Sequence, residues 1–250
     1  MSLADHLREL RYRVIVSVLV VIVASVIAAI WYEGLYQVLM LPYLRARDLL
    51  AASNPDIHTM PVISGVTAPF TLALKVCVVA GLAASSPVWL YQLWAFIVPA
   101  LREREKKYTL AFLGTSIPLF LAGMLVGYYI LPQGMAVLIG FTPSGVPVSN
   151  LLDVNQFLSL LVQLMVVFGL GFLVPVVVVA ANMIGVLTAA RLKKVRVYVV
   201  FGIFVFGAVA TPSTDPFSML ALALPMVALY LIAEAIAHVH DKRKLQKADT

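Results

Sequence analysis

Long apolar runs separated by polar stretches dominate the chain. Six of them, at about 14–32, 69–97, 109–131, 156–181, 197–210 and 217–237, read as membrane-spanning helices. In lipid the backbone has no water to bond to, and a helix satisfies its own N–H and C=O groups within one segment. The predicted fold class is therefore an all-α membrane protein with six transmembrane helices, formed by residues 1–250 as a single integral membrane domain. The runs are unequal. The fifth, about 14 residues, would reach roughly 21 Å, short of a hydrocarbon core of about 30 Å. The sixth is only slightly longer. The second, roughly 30 residues, would reach about 45 Å and must tilt or project. Short spans five and six would thin the bilayer beside them or sit behind longer neighbours.

Proline and glycine refine this pattern. Spans two, three, four and six each hold an interior proline, namely Pro87, Pro118, Pro175 and Pro225. Each removes a backbone donor and favours a bend, so the helices are expected to kink into a bundle with a concave side. "GMLVG" at 123–127 fits the G-x-x-x-G pattern of closely packed helices. Residues 33–67, with Pro42, Pro55 and Pro61, read as one long loop. Residues 132–155, with Pro132, Gly140, Pro143, Gly145 and Pro147, read as another. The connections 98–108 and 182–196 are short and basic.

Charge then orients the chain. Of 18 Lys and Arg residues, three precede the first run, four sit in 98–108, four in 182–196 and four follow His238. Only Arg45 and Arg47 lie on the opposite side, with Lys75 inside span two. Cations accumulate on the cytoplasmic side of membrane proteins, so both termini are predicted to be cytoplasmic. The net charge of +6 thus reports orientation and gives no reason to invoke nucleic acid. The lone Cys77 cannot form an internal disulfide. The run after Arg8, Arg11 and Arg13 is too long for the apolar part of a secretory signal and reads as a retained first span.

Several polar positions stand out. In "SLADHLRELRYRV", Leu3, Leu7, Leu10 and Val14 form one stripe, which predicts a short amphipathic helix on the membrane surface before span one. Glu9 is an acid that anchoring does not need. In "QLWAFIVPALREREKKY", 92–108, Trp94 suits the interfacial aromatic belt. Glu103 and Glu105 stand there among Arg102, Arg104, Lys106 and Lys107. That loop reads either as a solvated charged surface or as a receptor for a cationic peptide, since carboxylates grip guanidinium through paired, charge-assisted bonds. Asp215 is placed to cap span six ahead of Pro216. Lys75 reads as a snorkelling cation. Glu234 reads as an interfacial partner of His238 or as a proton carrier. His238 and His240 lack a third metal ligand, and nucleotide-binding, zinc-protease and serine-hydrolase signatures are missing, so no cofactor and no catalytic activity are expected.

Four ordered segments carry a family resemblance: "HLRELRYR" at 6–13, "PVWLYQLWAFIVPALREREKK" at 87–107, "FGLGFLVPV" at 168–176 and "TPSTDPFSMLALALPMVALY" at 211–230. Together they resemble the TatC family, the multispanning receptor subunits of the twin-arginine protein translocase, over nearly the whole chain. The resemblance implies a receptor in the cytoplasmic membrane for signal peptides with consecutive arginines. It also implies single-span partner subunits, a multi-copy assembly among membrane lipids, and proton-gradient-driven export of folded proteins. Carried over position by position, Glu9, Leu10 and Arg11 match the family's "ELR" motif, Phe96 and Pro99 its aromatic and proline, and Glu105 its loop acid. Glu103 is an additional acid. Pro87, Gln92, Lys75, Asp215 and Glu234 are further candidates. Leu173 and Leu231 stand where the family commonly has glutamate, and Glu234, one turn after Leu231, is placed to substitute for the second. The alternative from a different class is a secondary transporter of a small solute or ion, which would need buried midplane charges and internal repeats.

Overall fold

The computed structural model describes residues 3–53, 59–97, 105–140, 150–183, 185–210 and 216–246. In chain order the described elements are α1 (Leu3–Ala28), a single 3-10 turn (Ala29–Trp31), α2 (Tyr32–Ser53), β1 (Thr59–Val62), α3 (Ala68–Ala84) and α4 (Ser86–Ile97). They continue with α5 (Glu105–Gly140), β2 (Asn150–Asp153), α6 (Val154–Gly171), α7 (Val174–Met183), α8 (Ala189–Ala210) and α9 (Pro216–Gln246). Four stretches are long and apolar enough to cross a membrane: Asp5–Leu49, Leu110–Met135, Val154–Met183 and Met219–Lys242. The pair α3 and α4, bent by 58° at Ser85, makes a fifth if counted as one span. Helix α8 is not among them, because Arg191, Lys193, Lys194 and Arg196 occupy its first two turns.

The N-terminal segment is not a separate surface helix. No Gly or Pro interrupts residues 3–28, so α1 runs unbroken through both the amphipathic stretch and the first apolar run. The predicted loop 33–67 is not a loop throughout, because residues 33–53 belong to α2. Leu35, Leu39, Tyr43 and Ala46 recur at helical spacing and turn inward, and Tyr43 meets the Phe157 ring edge-on at 5.9 Å. Pro42 is tolerated inside that helix because packing outweighs one lost hydrogen bond. Likewise α5 continues past Pro132 to Gly140, into the second predicted loop. What remains of the two connections is joined by a short parallel pairing, Thr59↔Asn150 through Val62↔Asp153, which an all-α reading misses.

The prolines act as expected in two of four helices. Pro87 stands two residues after the break at Ser85, and Pro175 two after the break at Phe172–Leu173. Each lacks the N–H that would carry the helix across its break. Pro118 and Pro225 sit within continuous helices.

The core centres on α6, whose Leu158, Leu161, Leu164 and Phe168 are fully buried. The G-x-x-x-G stretch of α5 lies directly against it. A Cβ on Gly123 would meet the Phe168 carbonyl oxygen at 2.5 Å, and one on Gly127 would meet that of Leu164 at 2.9 Å. Helix α1 packs against α3 and α4, α4 against α5 and α5 against α6, while α7 packs on α9, with α8 on the other side of α9. Trp94 is not an interfacial anchor. It is 0% exposed, stacks on Phe112 at 5.0 Å and donates to Ser116 Oγ at 2.7 Å.

Candidate functional site

The first three turns of α1 lie against α4. On α1, positions 6, 9 and 13 share one side, and on α4 positions 92 and 96 are one turn apart. The two faces meet. Glu9 Oε1 accepts from Arg13 Nε at 3.0 Å and Nη2 at 2.7 Å, and Arg13 Nη1 donates to Gln92 Oε1 at 3.1 Å. One turn toward the terminus, His6 stacks on Phe96 with ring centroids 4.4 Å apart. Glu9, Gln92 and Phe96 therefore come together from segments far apart in sequence. Pro87 contributes through the bend that sets the direction of α4. Leu10 and Arg11 are exposed and point elsewhere. Glu105 opens α5, with its side chain outside the described part of the structure, and Pro99, Glu103 and Asp215 lie outside the described residues.

A shallow depression of about 420 Å³ lies beside Glu9, lined by Asp5, Arg8 and Tyr12. Deeper along α1, an apolar groove of about 720 Å³ runs between α1 and α3, lined among others by Ser17, Ile22, Leu74, Cys77 and Trp89. Ser17 is one turn beyond Arg13 and Trp89 one turn before Gln92. The groove thus begins where the polar cluster ends.

Away from this cluster, Lys75 and Glu234 both have partners. Lys75 does not snorkel: its Nζ donates to Asn155 Oδ1 at 2.7 Å and Ser159 Oγ at 2.5 Å, both on α6. Asp153 positions that receiving helix as its N-cap, accepting from the Asn155 and Gln156 backbone N–H groups at 2.8 and 3.2 Å. The Ser64 hydroxyl, together with these N–H groups, holds the Asp153 carboxyl below its usual range. Glu234 is bound by Arg196 rather than His238, through Nε at 2.9 Å and Nη2 at 2.6 Å. It is 8% exposed, whereas Leu231 is 42% exposed, so Glu234 does not present its carboxylate where Leu231 points. Leu173 is buried at the break between α6 and α7. At the far end of α9, Asp241 accepts from Asn182 Nδ2 at 3.1 Å and from the Ala189 N–H at 2.8 Å, which ties the start of α8 in place.

Arg13 and Arg196 are the residues that sequence reading passes over. Arg13 was detectable, because it stands four residues after Glu9 on a helix. Arg196 was not, because its partner lies 38 positions away.

The model of the family described as Sec-independent protein translocase protein (TatC) matches residues 5–225. The chain is 39% identical to the Sec-independent protein translocase protein TatC of Frankia casuarinae, covering 100% of this chain and 69% of that protein. It is 33% identical to that of Xylanimonas cellulosilytica, covering 97% and 86%. Among solved structures, it is similar to a crystal structure of the twin arginine translocase receptor TatC in DDM, with a TM-score of 0.76 and 32% identity over 93% of this chain and 99% of that one.

Proposed function

The chain belongs to the TatC family of Sec-independent protein translocase subunits, and on that premise we propose that it is the receptor and core component of a twin-arginine translocase. It acts by binding and scaffolding, not by catalysis. Signal peptides with an arginine pair dock at the cytoplasmic face, where Glu9, Glu105 and the neighbouring Glu103 supply carboxylates. Phe96 and Pro99 shape the apolar edge. Single-span partner subunits assemble on the membrane-facing helices, several copies of the unit act together, and the proton gradient drives export of folded cargo.

The topology that goes with this reading has six crossings. Helices α3 and α4 act as one bent span, and α8 is a short fifth span whose charged first turns stay at the inner surface. Both termini are cytoplasmic, in keeping with the crowding of cations on one side. The bent helices leave a concave face, along which the apolar part of the peptide slides, beginning in the groove between α1 and α3.

One observation carries the proposal. Glu9 already holds a guanidinium through two bonds to one oxygen, beside the aromatic Phe96 and at the mouth of an apolar groove. That is the chemistry an arginine followed by an apolar segment would use. The test is a photocrosslinker at position 105, offered peptides identical except for Arg-Arg or Lys-Lys. The Arg-Arg peptide is expected to crosslink and the Lys-Lys peptide to do so far more weakly. Equal yields, or none with Arg-Arg, would reject the assignment.

A further inference from the structure

We propose that Arg13 is a resident stand-in for the incoming arginine, and that displacing it sets the affinity threshold a signal peptide must pass. The inference rests on the reading of Glu9 as a receptor for guanidinium and adds a device that controls access to it.

The Glu9 carboxylate is not an open acceptor. Both of its described bonds come from Arg13 and converge on Oε1, while Oε2 carries neither. The pair is well covered, each side chain being 22% exposed. Arg13 is also held from the other element of the site, through Nη1 to Gln92 Oε1 at 3.1 Å. The guanidinium therefore bridges α1 and α4, the two helices that bring Glu9 and Phe96 together.

A second guanidinium cannot take both oxygens of Glu9 in a two-pronged pair while Arg13 occupies Oε1. It would also face the positive charge of Arg13 at close range. Productive binding thus requires Arg13 to turn away, toward water or lipid phosphate, which its length allows. The state with Arg13 in place is binding-incompetent, and apparent affinity is the intrinsic affinity reduced by the fraction of molecules in the open state. The reduction applies equally to every ligand that needs Glu9. A peptide whose arginines re-form a two-pronged bond starts from a higher intrinsic affinity and still binds after that reduction. A lysine peptide, which binds a carboxylate only as a hydrated point charge, starts weaker and is left weaker still. The stand-in also keeps the carboxylate compensated between cargoes.

The test compares the purified full-length protein with Arg13→Gln, Arg13→Lys and Glu9→Gln, using fluorescent Arg-Arg and Lys-Lys peptides. Arg13→Gln is expected to tighten binding of both peptides by a similar factor, about three- to tenfold, the scale of releasing one partly exposed ion pair. Arg13→Lys is expected to fall between it and the native protein, and it decides the matter if the glutamine variant does not fold. Unchanged or weaker binding in the folded Arg13 variants would overturn the stand-in and make Arg13 a mere support for Glu9. Glu9→Gln separates the two ideas. If it still binds the Arg-Arg peptide at full strength, the receptor reading at Glu9 fails. If it loses binding while the Arg13 variants show no gain, only the stand-in fails.

Discussion

Glu234 shows how a single side chain changes meaning between sequence and structure. Read locally, it has His238 one turn away on the same helix. In the fold it turns inward, and Arg196 of α8 grips it with two nitrogens. A buried carboxylate without its cation is more costly than either a paired one or none. Arg196→Met should therefore lower the Tm in detergent by several degrees, and adding Glu234→Leu should recover much of the loss. A double variant no more stable than the single one would mean that the unpaired Glu234 carboxylate is not what destabilises the Arg196 variant. The same logic applies to Lys75, whose two acceptors sit 80 and 84 positions away on α6. Neither partner is visible in a window of one or two helical turns. The Glu9–Arg13 pair is visible there, because both partners lie on one helix at a spacing of four.

At the scale of elements, hydrophobic length was the readable quantity. The apolar runs at 69–97 and 156–181 correspond to α3 with α4 and to α6 with α7, and the breaks fall beside Pro87 and Pro175, where a backbone donor is missing. What escaped detection depends on partners distant in sequence. Helix α2 is stabilised by Leu39, Tyr43 and Ala46 packing on the core, against the loop reading that Pro42, Pro55 and Pro61 suggested. The pairing of β1 with β2 involves four residues on each side, too few to carry a period. The glycine motif at 123–127 was legible as a pattern, and the structure gives its reason: a side chain on Gly123 would strike the Phe168 backbone. Gly123→Val should cost about 1–3 kcal/mol by overpacking α5 against α6, read as a lower Tm and a lower yield of folded protein. Full stability would show that the two helices can separate at no cost and are not fixed by this contact.

Across the whole molecule, the polar cluster and the apolar groove share their two walls. Helix α1 contributes Glu9 and Arg13 and then, one turn on, Ser17 at the groove's mouth, while α3 and α4 supply the facing side. A peptide captured at Glu9 would therefore have its apolar segment delivered along α1, toward Cys77. That residue is the single cysteine of the chain and lines the groove from α3, so it serves as a native reporter. Arginine-pair peptides carrying one cysteine at successive positions of their apolar segment should form a disulfide with Cys77 under mild oxidation. The yield should peak every three to four residues if the segment enters as a helix. Glu9→Gln should abolish the crosslink, because capture at the polar end precedes entry, and Cys77→Ser should abolish it while leaving peptide affinity intact. Strong capture with no crosslink at any position would separate the two features: the acid would still be the receptor, but the groove between α1 and α3 would not be the path of the apolar segment.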